Sequence, residues 1–221
     1  IVTNDKGIAS IENLPLGKYY LVETKTLEGF VLDSEPIMAD LSYVDQHTEV
    51  VYAGMEITNE RQKVQVTVIK TDAETKKELE GAIFGLYAAE DIVNADGKII
   101  VAKDTLVEKA VTGKDGKCVF VSDLPLGQYY VKEIEAPKGY VLNEEIFALD
   151  ASYQGDDVKV IELEATFANY PTKLEISKTD ITGEYELKGA TLSIIDKDGN
   201  VVETWKSDGE THYIERIAGG E

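Results

Sequence analysis

The stretch DLPLGQYYVKE, Asp123 to Glu133, repeats NLPLGKYYLVE, Asn13 to Glu23, at a spacing of 110 positions. The same spacing carries Gly29, Phe30, Val31 and Leu32 onto Gly139, Tyr140, Val141 and Leu142, and Asn59 onto Asn169 without a gap. A second repeat runs at 108 positions: VIKTD, ending at Asp72, returns as ISKTD, ending at Asp180, and LEGA from Leu79 returns as LKGA from Leu187. Self-similarity at a fixed period is the signature of an array of like modules. The expected layout is the back part of one module over residues 1–62, a complete module over 63–171, and the front part of a third over 172–221. The junctions NERQK and NYPTK are short and Pro171 stiffens the second, so neighbouring modules are expected to stack as a semi-rigid rod.

Within a module the local pattern is that of strands. VQVTVIK alternates apolar and polar residues, IFGLY and CVFV are short apolar runs, and QYYVKE and KVIELEATFAN alternate again, with DG and NADG turn signals between them. Helical periodicity is nowhere sustained over three turns, and Asp104 to Thr112 is the one stretch read as a short helix. Many short strands in each repeat predict an all-β chain of tandem antiparallel β-sandwich modules with Greek-key connections.

Composition narrows the function. The chain is 43% hydrophobic and 29% charged, enough apolar material for a folded core. Asp and Glu number 42 against 22 Lys and Arg, without a basic run, which argues against nucleic acid and anionic membranes as partners. The acidic excess reads as a solubilising surface that keeps repeated modules apart. Cys118 shares a strand face with Phe120 and is expected to be a buried, inert thiol. No signal peptide and no apolar stretch of about 18 residues occurs, so no membrane span is expected. The chain opens on Ile1 and stops in mid-pattern, which reads as a fragment of a longer protein.

Side chains two apart on a strand share a face. Val64, Val66 and Val68 lead to Lys70; Tyr129 and Val131 lead to Glu133; Ile161, Leu163, Ala165 and Phe167 lead to Asn169. Three apolar rows thus end in an amine, a carboxyl and a carboxamide. The flanking parts repeat this: Tyr19 and Leu21 lead to Glu23, Ala53, Met55 and Ile57 lead to Asn59, and Leu174 and Ile176 lead to Lys178. Buried polar groups are costly unless they meet, so the three are expected to converge. A buried lysine has its pKa lowered and becomes a neutral nucleophile, while a buried carboxyl stays protonated. Such an acid can bond the carboxamide oxygen of Asn169, sharpen its carbon as an electrophile and shuttle the proton that lets ammonia leave. The product is a Lys70–Asn169 amide. The plainer readings are a buried Lys–Glu ion pair with Asn as a bystander, or strand ends that reach solvent.

Taken together, Val66, Val68, Lys70 and Asp72; Leu79, Gly81, Ala82, Phe84, Leu86 and Tyr87; Asp115, Gly116, Phe120, Leu124, Pro125, Gly127, Tyr129, Tyr130, Glu133, Ala136, Pro137, Gly139 and Tyr140; and Asn169 with Pro171 make a pattern that resembles the CnaB or SpaA-type modules of Gram-positive pilins and adhesins. The resemblance implies an inverse-immunoglobulin sandwich, secretion, sortase attachment to peptidoglycan, and an intramolecular isopeptide bond with Lys70, Glu133 and Asn169 in the family roles. By the same matching Glu23 and Asn59 serve the first module, whose lysine would precede Ile1, and Lys178 serves the third. The first module departs from the pattern with Leu27 in place of proline, and the third reads IAGG, Ile217 to Gly220, where the others read LPLG.

A structural stalk or pilus shaft on the cell surface is therefore the leading expectation, with other modules or pilin subunits as partners. An adhesin that binds host matrix protein or glycan is the alternative, with Val93 to Thr105 as its candidate insertion. An enzyme acting on external substrates ranks last, and no cofactor or metal is expected. LPLG reads as a turn, DKDGN at Asp196 to Asn200 as a hairpin turn, and Lys173 of YPTK as linker packing; His47 and His212 lack ligand spacing.

Overall fold

The computed structural model describes residues 1–94 and 97–217, and these are strand and connection throughout. They divide into two compact units, Ile1–Gln62 with Tyr153–Lys159, and Lys63–Ser152 with Val160–Glu221.

In the first unit β1 (Gly17–Leu21) pairs antiparallel with β2 (Ile37–Leu41), Gly17 opposite Leu41. The LPLG turn before β1 is closed by Tyr19, whose hydroxyl donates to Pro15 O at 2.7 Å. Residues 49–60 form no strand, and Ala53 and Met55 of the expected core row lie exposed. Alternation qualifies a segment for a sheet but does not supply the neighbour whose N–H and C=O groups must pair with it. No strand within residues 1–16 supplies one.

The second unit holds the larger core. In chain order it contains β3 (Lys63–Asp72), β4 (Ile83–Ala88), β5 (Ile92–Val93), β6 (Ile99–Val101), β7 (Leu106–Val111), β8 (Lys117–Phe120), β9 (Gly127–Glu135), β10 (Ile146–Ala151) and β11 (Val160–Asn169). Two sheets form, β10-β9-β4-β7 and β11-β3-β8, with β5 and β6 as a separate hairpin. Pairing is antiparallel except between β11 and β3, which run parallel from Val160 opposite Lys63 to Asn169 opposite Asp72. The sheets stack as a sandwich. Phe84 of β4 meets Phe167 of β11 with ring centres 4.9 Å apart, and Phe147 of β10 lies 6.2 Å from the same ring.

The expected short helix near Asp104 is instead β7. β4 has an edge on the side away from β9, and Leu106 to Val111 pair along it from Tyr87 to Ile83. Satisfying that row of backbone groups outweighs a weak local preference. Four further strands follow: β12 (Lys173–Ile176) pairs with β15 (His212–Glu215), and β13 (Lys188–Ile195) with β14 (Val201–Asp208). DKDGN is the turn of the β13–β14 hairpin, with Gly199 at φ +85° and its N–H bonded to Asp196 O at 3.0 Å. The Ala218 to Gly220 part of IAGG and the Ala95-Asp96 part of NADG lie outside the described residues. Among the described residues no helix is long and apolar enough to cross a membrane.

Phe167 contacts aromatic rings from two strands of the opposite sheet, so truncating it removes the centre of the packing. Phe167→Ala should lower the unfolding free energy by about 3–5 kcal/mol, read from guanidinium denaturation curves; a loss below about 1 kcal/mol would contradict this packing.

Candidate functional site

The three apolar rows of the second unit end where alternation puts them. Lys70 near the end of β3, Glu133 near the end of β9 and Asn169 at the end of β11 are 0%, 4% and 1% exposed. Because β3 and β11 are parallel and in register, Lys70 stands opposite Phe167, and Asn169 lies one inward position further along. Lys70 Nζ sits 3.3 Å from Glu133 Oε1 and donates to Asn169 Oδ1. Asn169 Nδ2 donates to Oε1 at 3.0 Å and to Oε2 at 2.9 Å of Glu133. The Phe84 ring, 5.9 Å from Nζ, forms an apolar wall.

Burial pushes the Lys70 pKa below the ordinary lysine range, against the opposing pull of Glu133 and, more weakly, Glu145. The carboxamide presents its nitrogen to the acid and its oxygen to the amine. The sequence-based expectation had the acid on the oxygen; in this arrangement Glu133 stands beside the group that would leave.

One partner of the site was not anticipated. The Asn143 N–H donates to Glu133 Oε2 at 2.8 Å, and the Asn143 side chain donates to Ala168 O at 3.1 Å, beside Asn169. The first unit repeats the device: Asp33, also ten positions after its glutamate, donates its N–H to Glu23 Oε2 at 3.0 Å. There Asn59 Nδ2 donates to Glu23 Oε2 at 2.5 Å and to Val31 O at 3.0 Å. Glu23 and Asn59 are therefore together, both half-buried. Lys178 is not in such a cluster: half-buried just past β12, its Nζ donates to Thr179 O at 3.3 Å. The signal for Asn143 in the sequence was a polar residue recurring at the same place in two repeats.

The remaining features have structural roles. Tyr129 closes the second LPLG turn by donating to Pro125 O at 2.7 Å, as Tyr19 does in the first. Lys173 pairs with Glu74 at 2.7 Å and Glu215 at 3.5 Å, in keeping with linker packing. His212 stacks on Trp205 and bonds Glu203. Among the described residues no group of three His, Cys, Asp or Glu could hold a metal ion.

A sandwich whose first and last strands are neighbours, with a buried amine, acid and amide at their shared end, defines a class of modular, self-packing β-domain. The family model for the SpaA prealbumin-like fold domain matches residues 1–56, 64–164 and 172–221, and the chain belongs to that family. It is 26% identical over 161 residues to the trypsin-resistant surface T6 protein of Streptococcus pyogenes serotype M6, covering 72% of this chain and 26% of that protein. The Bacillus anthracis TIE protein superposes with a TM-score of 0.58 at 29% identity, over 96% of this chain and 36% of that one. The chain thus spans roughly a quarter to a third of the length of these relatives.

Cys118 of β8 is buried, and burial, then Glu108, pushes its thiol up to about 11. It should resist iodoacetamide at pH near 8 in the folded chain and react fully in guanidinium, checked by mass spectrometry; rapid labelling of the native chain would contradict the burial.

Proposed function

We propose that this chain is a load-bearing stalk or shaft segment of a Gram-positive surface fibre. Its SpaA modules span residues 1–62, 63–171 and 172–221, and an amide between Lys70 and Asn169 closes the middle one. The observation that carries this reading is the contact of Lys70, Glu133 and Asn169 inside a core that leaves none of them a route to water. A permanently unreacted trio would be expensive to keep, since buried charges and amides cost several kcal/mol unless paired or neutralised. The surface location named for the T6 protein supports the cellular setting. Attachment to peptidoglycan by sortase, and assembly with further modules or pilin subunits, belong to the same reading.

The positions of the atoms support the following chemistry. Lys70 Nζ, neutral once its proton has passed to Glu133 Oε1, attacks Asn169 Cγ and forms the N–C bond. Glu133 then carries a proton from Nζ to Nδ2, the Cγ–Nδ2 bond breaks, and ammonia leaves. The Asn143 N–H holds Oε2, which keeps Oε1 facing the amine. Each module acts once, on itself. In the first module Glu23 and Asn59 would take the same parts with a lysine on a preceding strand, and Lys178 would be the nucleophile of the third.

The purpose lies in where load enters and leaves. A chain pulled from both ends enters the middle module along β3 and leaves from the end of β11. An amide from Lys70 to Asn169 passes tension directly between those strands, and the residues between them carry none. The link also spans 99 positions, which restricts the unfolded chain by about 4–5 kcal/mol in the loop-entropy picture developed for disulfides. The adhesin alternative draws on the β5–β6 hairpin, where Val93, Ile99 and Ile100 are about half exposed, but those strands are only two and three residues long.

The deciding measurement is the intact mass of the denatured, reduced chain. A deficit of one ammonia, absent in Lys70→Ala and Asn169→Ala, is the expected result; a full mass in the parent would leave only a buried polar cluster. When chain synthesised and kept unfolded, and therefore still unreacted, is folded for the first time, the rate of ammonia loss should depend on pH with a definite sign. Because burial lowers the Lys70 pKa, the neutral amine appears before the ordinary lysine value of 10.5 is reached. The rate should rise with pH and level off below that value, whereas a rise confined to the ordinary lysine range would contradict an amine activated by burial.

A further inference from the structure

We propose that Asp72 and Tyr140 form a docking receptor for the module that follows, that Arg216 is the group it receives, and that this contact fixes the angle between consecutive modules. The inference rests on the modular layout and is independent of the Lys70–Asn169 amide.

Asp72 ends β3 and is 1% exposed. One of its oxygens is occupied locally: Oδ1 accepts the N–H groups of Glu74 at 2.8 Å and Thr75 at 2.9 Å, closing its own turn. The other reaches across the module boundary. Oδ2 accepts the Tyr140 hydroxyl at 2.9 Å and Arg216 Nη2 at 2.9 Å, while Arg216 Nε donates to the Tyr140 hydroxyl at 3.3 Å. Within residues 63–171 the donors to this carboxylate are neutral, so it is the guanidinium from the next module that balances its charge. A buried carboxylate without a cation is strongly disfavoured, which makes the pair a device for recognising a specific neighbour.

The backbone around the pair is fitted just as closely. The Arg216 N–H donates to Thr172 O at 2.8 Å, the Thr172 N–H to Gly139 O at 2.9 Å, and the Thr172 hydroxyl to Ile217 O at 2.6 Å. Gly139 has φ +84°, and a Cβ there would stand 2.5 Å from Arg216 O. Arg216 itself sits at φ +60°, a conformation that non-glycine residues hold only where surrounding contacts over-determine it. Burial pushes the Asp72 carboxyl up, but the Thr75 and Glu74 N–H groups, Arg216 and Tyr140 outweigh it and hold it well below the usual carboxylate range. The KTD repeat places Asp180 at the matching position of the third module, so the receptor's acid recurs along the array.

The test is the distance distribution between spin labels on the exposed residues Lys114 and Lys197, each replaced by cysteine in the full 221-residue chain. The parent should give one narrow distance. Arg216→Ala should broaden it, while the middle module's thermal transition and the deficit of the intact mass against the variant's own sequence mass stay as in the parent, so that failure of the joint is distinguishable from failure of the amide. Tyr140→Phe, which imports the residue found at Phe30 of the first module, should broaden it less. A narrow distribution retained in Arg216→Ala would overturn the proposal. If that variant loses the middle module's transition, Tyr140→Phe decides: a distribution as narrow as the parent's overturns the proposal, and a broader one supports it.

Discussion

The parallel pairing of β3 with β11 is the constraint on which the rest of the second unit depends. It places the first strand of the module beside the last, ten residues deep, so that segments about a hundred positions apart share one hydrogen-bonded ladder. In-register pairing turns Val64, Val66, Val68 and Lys70 to the same face as Ile161, Leu163, Ala165 and Phe167. The amine and the carboxamide are therefore neighbours because of the ladder; neither attraction nor chance is needed. The second sheet then closes over them and brings Glu133 on β9.

That closure creates an electrostatic problem and suggests its resolution. Lysine, glutamate and asparagine at the inner end of three apolar rows face a medium in which an unpaired charge is far more costly than in water. Their mutual contacts reduce the cost, and conversion of amine and amide into one neutral amide, with ammonia lost to solvent, would remove it. In the proposed reaction, burial both activates the lysine and supplies the reason to consume it. Oε2 of Glu133 in the second unit and Oε2 of Glu23 in the first are each held by a backbone N–H ten positions on, so both acids are oriented in the same way.

In the proposed stalk, load and stiffness meet at the same strand end. Lys70 and Asp72 lie two residues apart on β3, one turned into the core and the other toward Tyr140 and Arg216. In the proposed stalk, the amide carries tension through the module while the neighbouring aspartate holds the next module at a set angle. A fibre needs both, since an inextensible module on a loose hinge still bends.

The strands, the core rows and the convergence of Lys70, Glu133 and Asn169 were legible in the sequence because a period of two maps directly onto a sheet face and the repeats mark equivalent positions. Glu23 and Asn59 were legible for the same reason. The strand expected around Ala53 to Ile57 did not form, and Leu106 to Val111 became β7 rather than a helix, because pairing belongs to the neighbour and not to the segment. The direction of β11 against β3, the Asn143 hold on Glu133, and the Asp72–Tyr140–Arg216 contact were decided only by the tertiary structure. Periodicity reports which face a side chain takes, whereas contacts spanning 68 to 144 positions depend on how the faces are brought together.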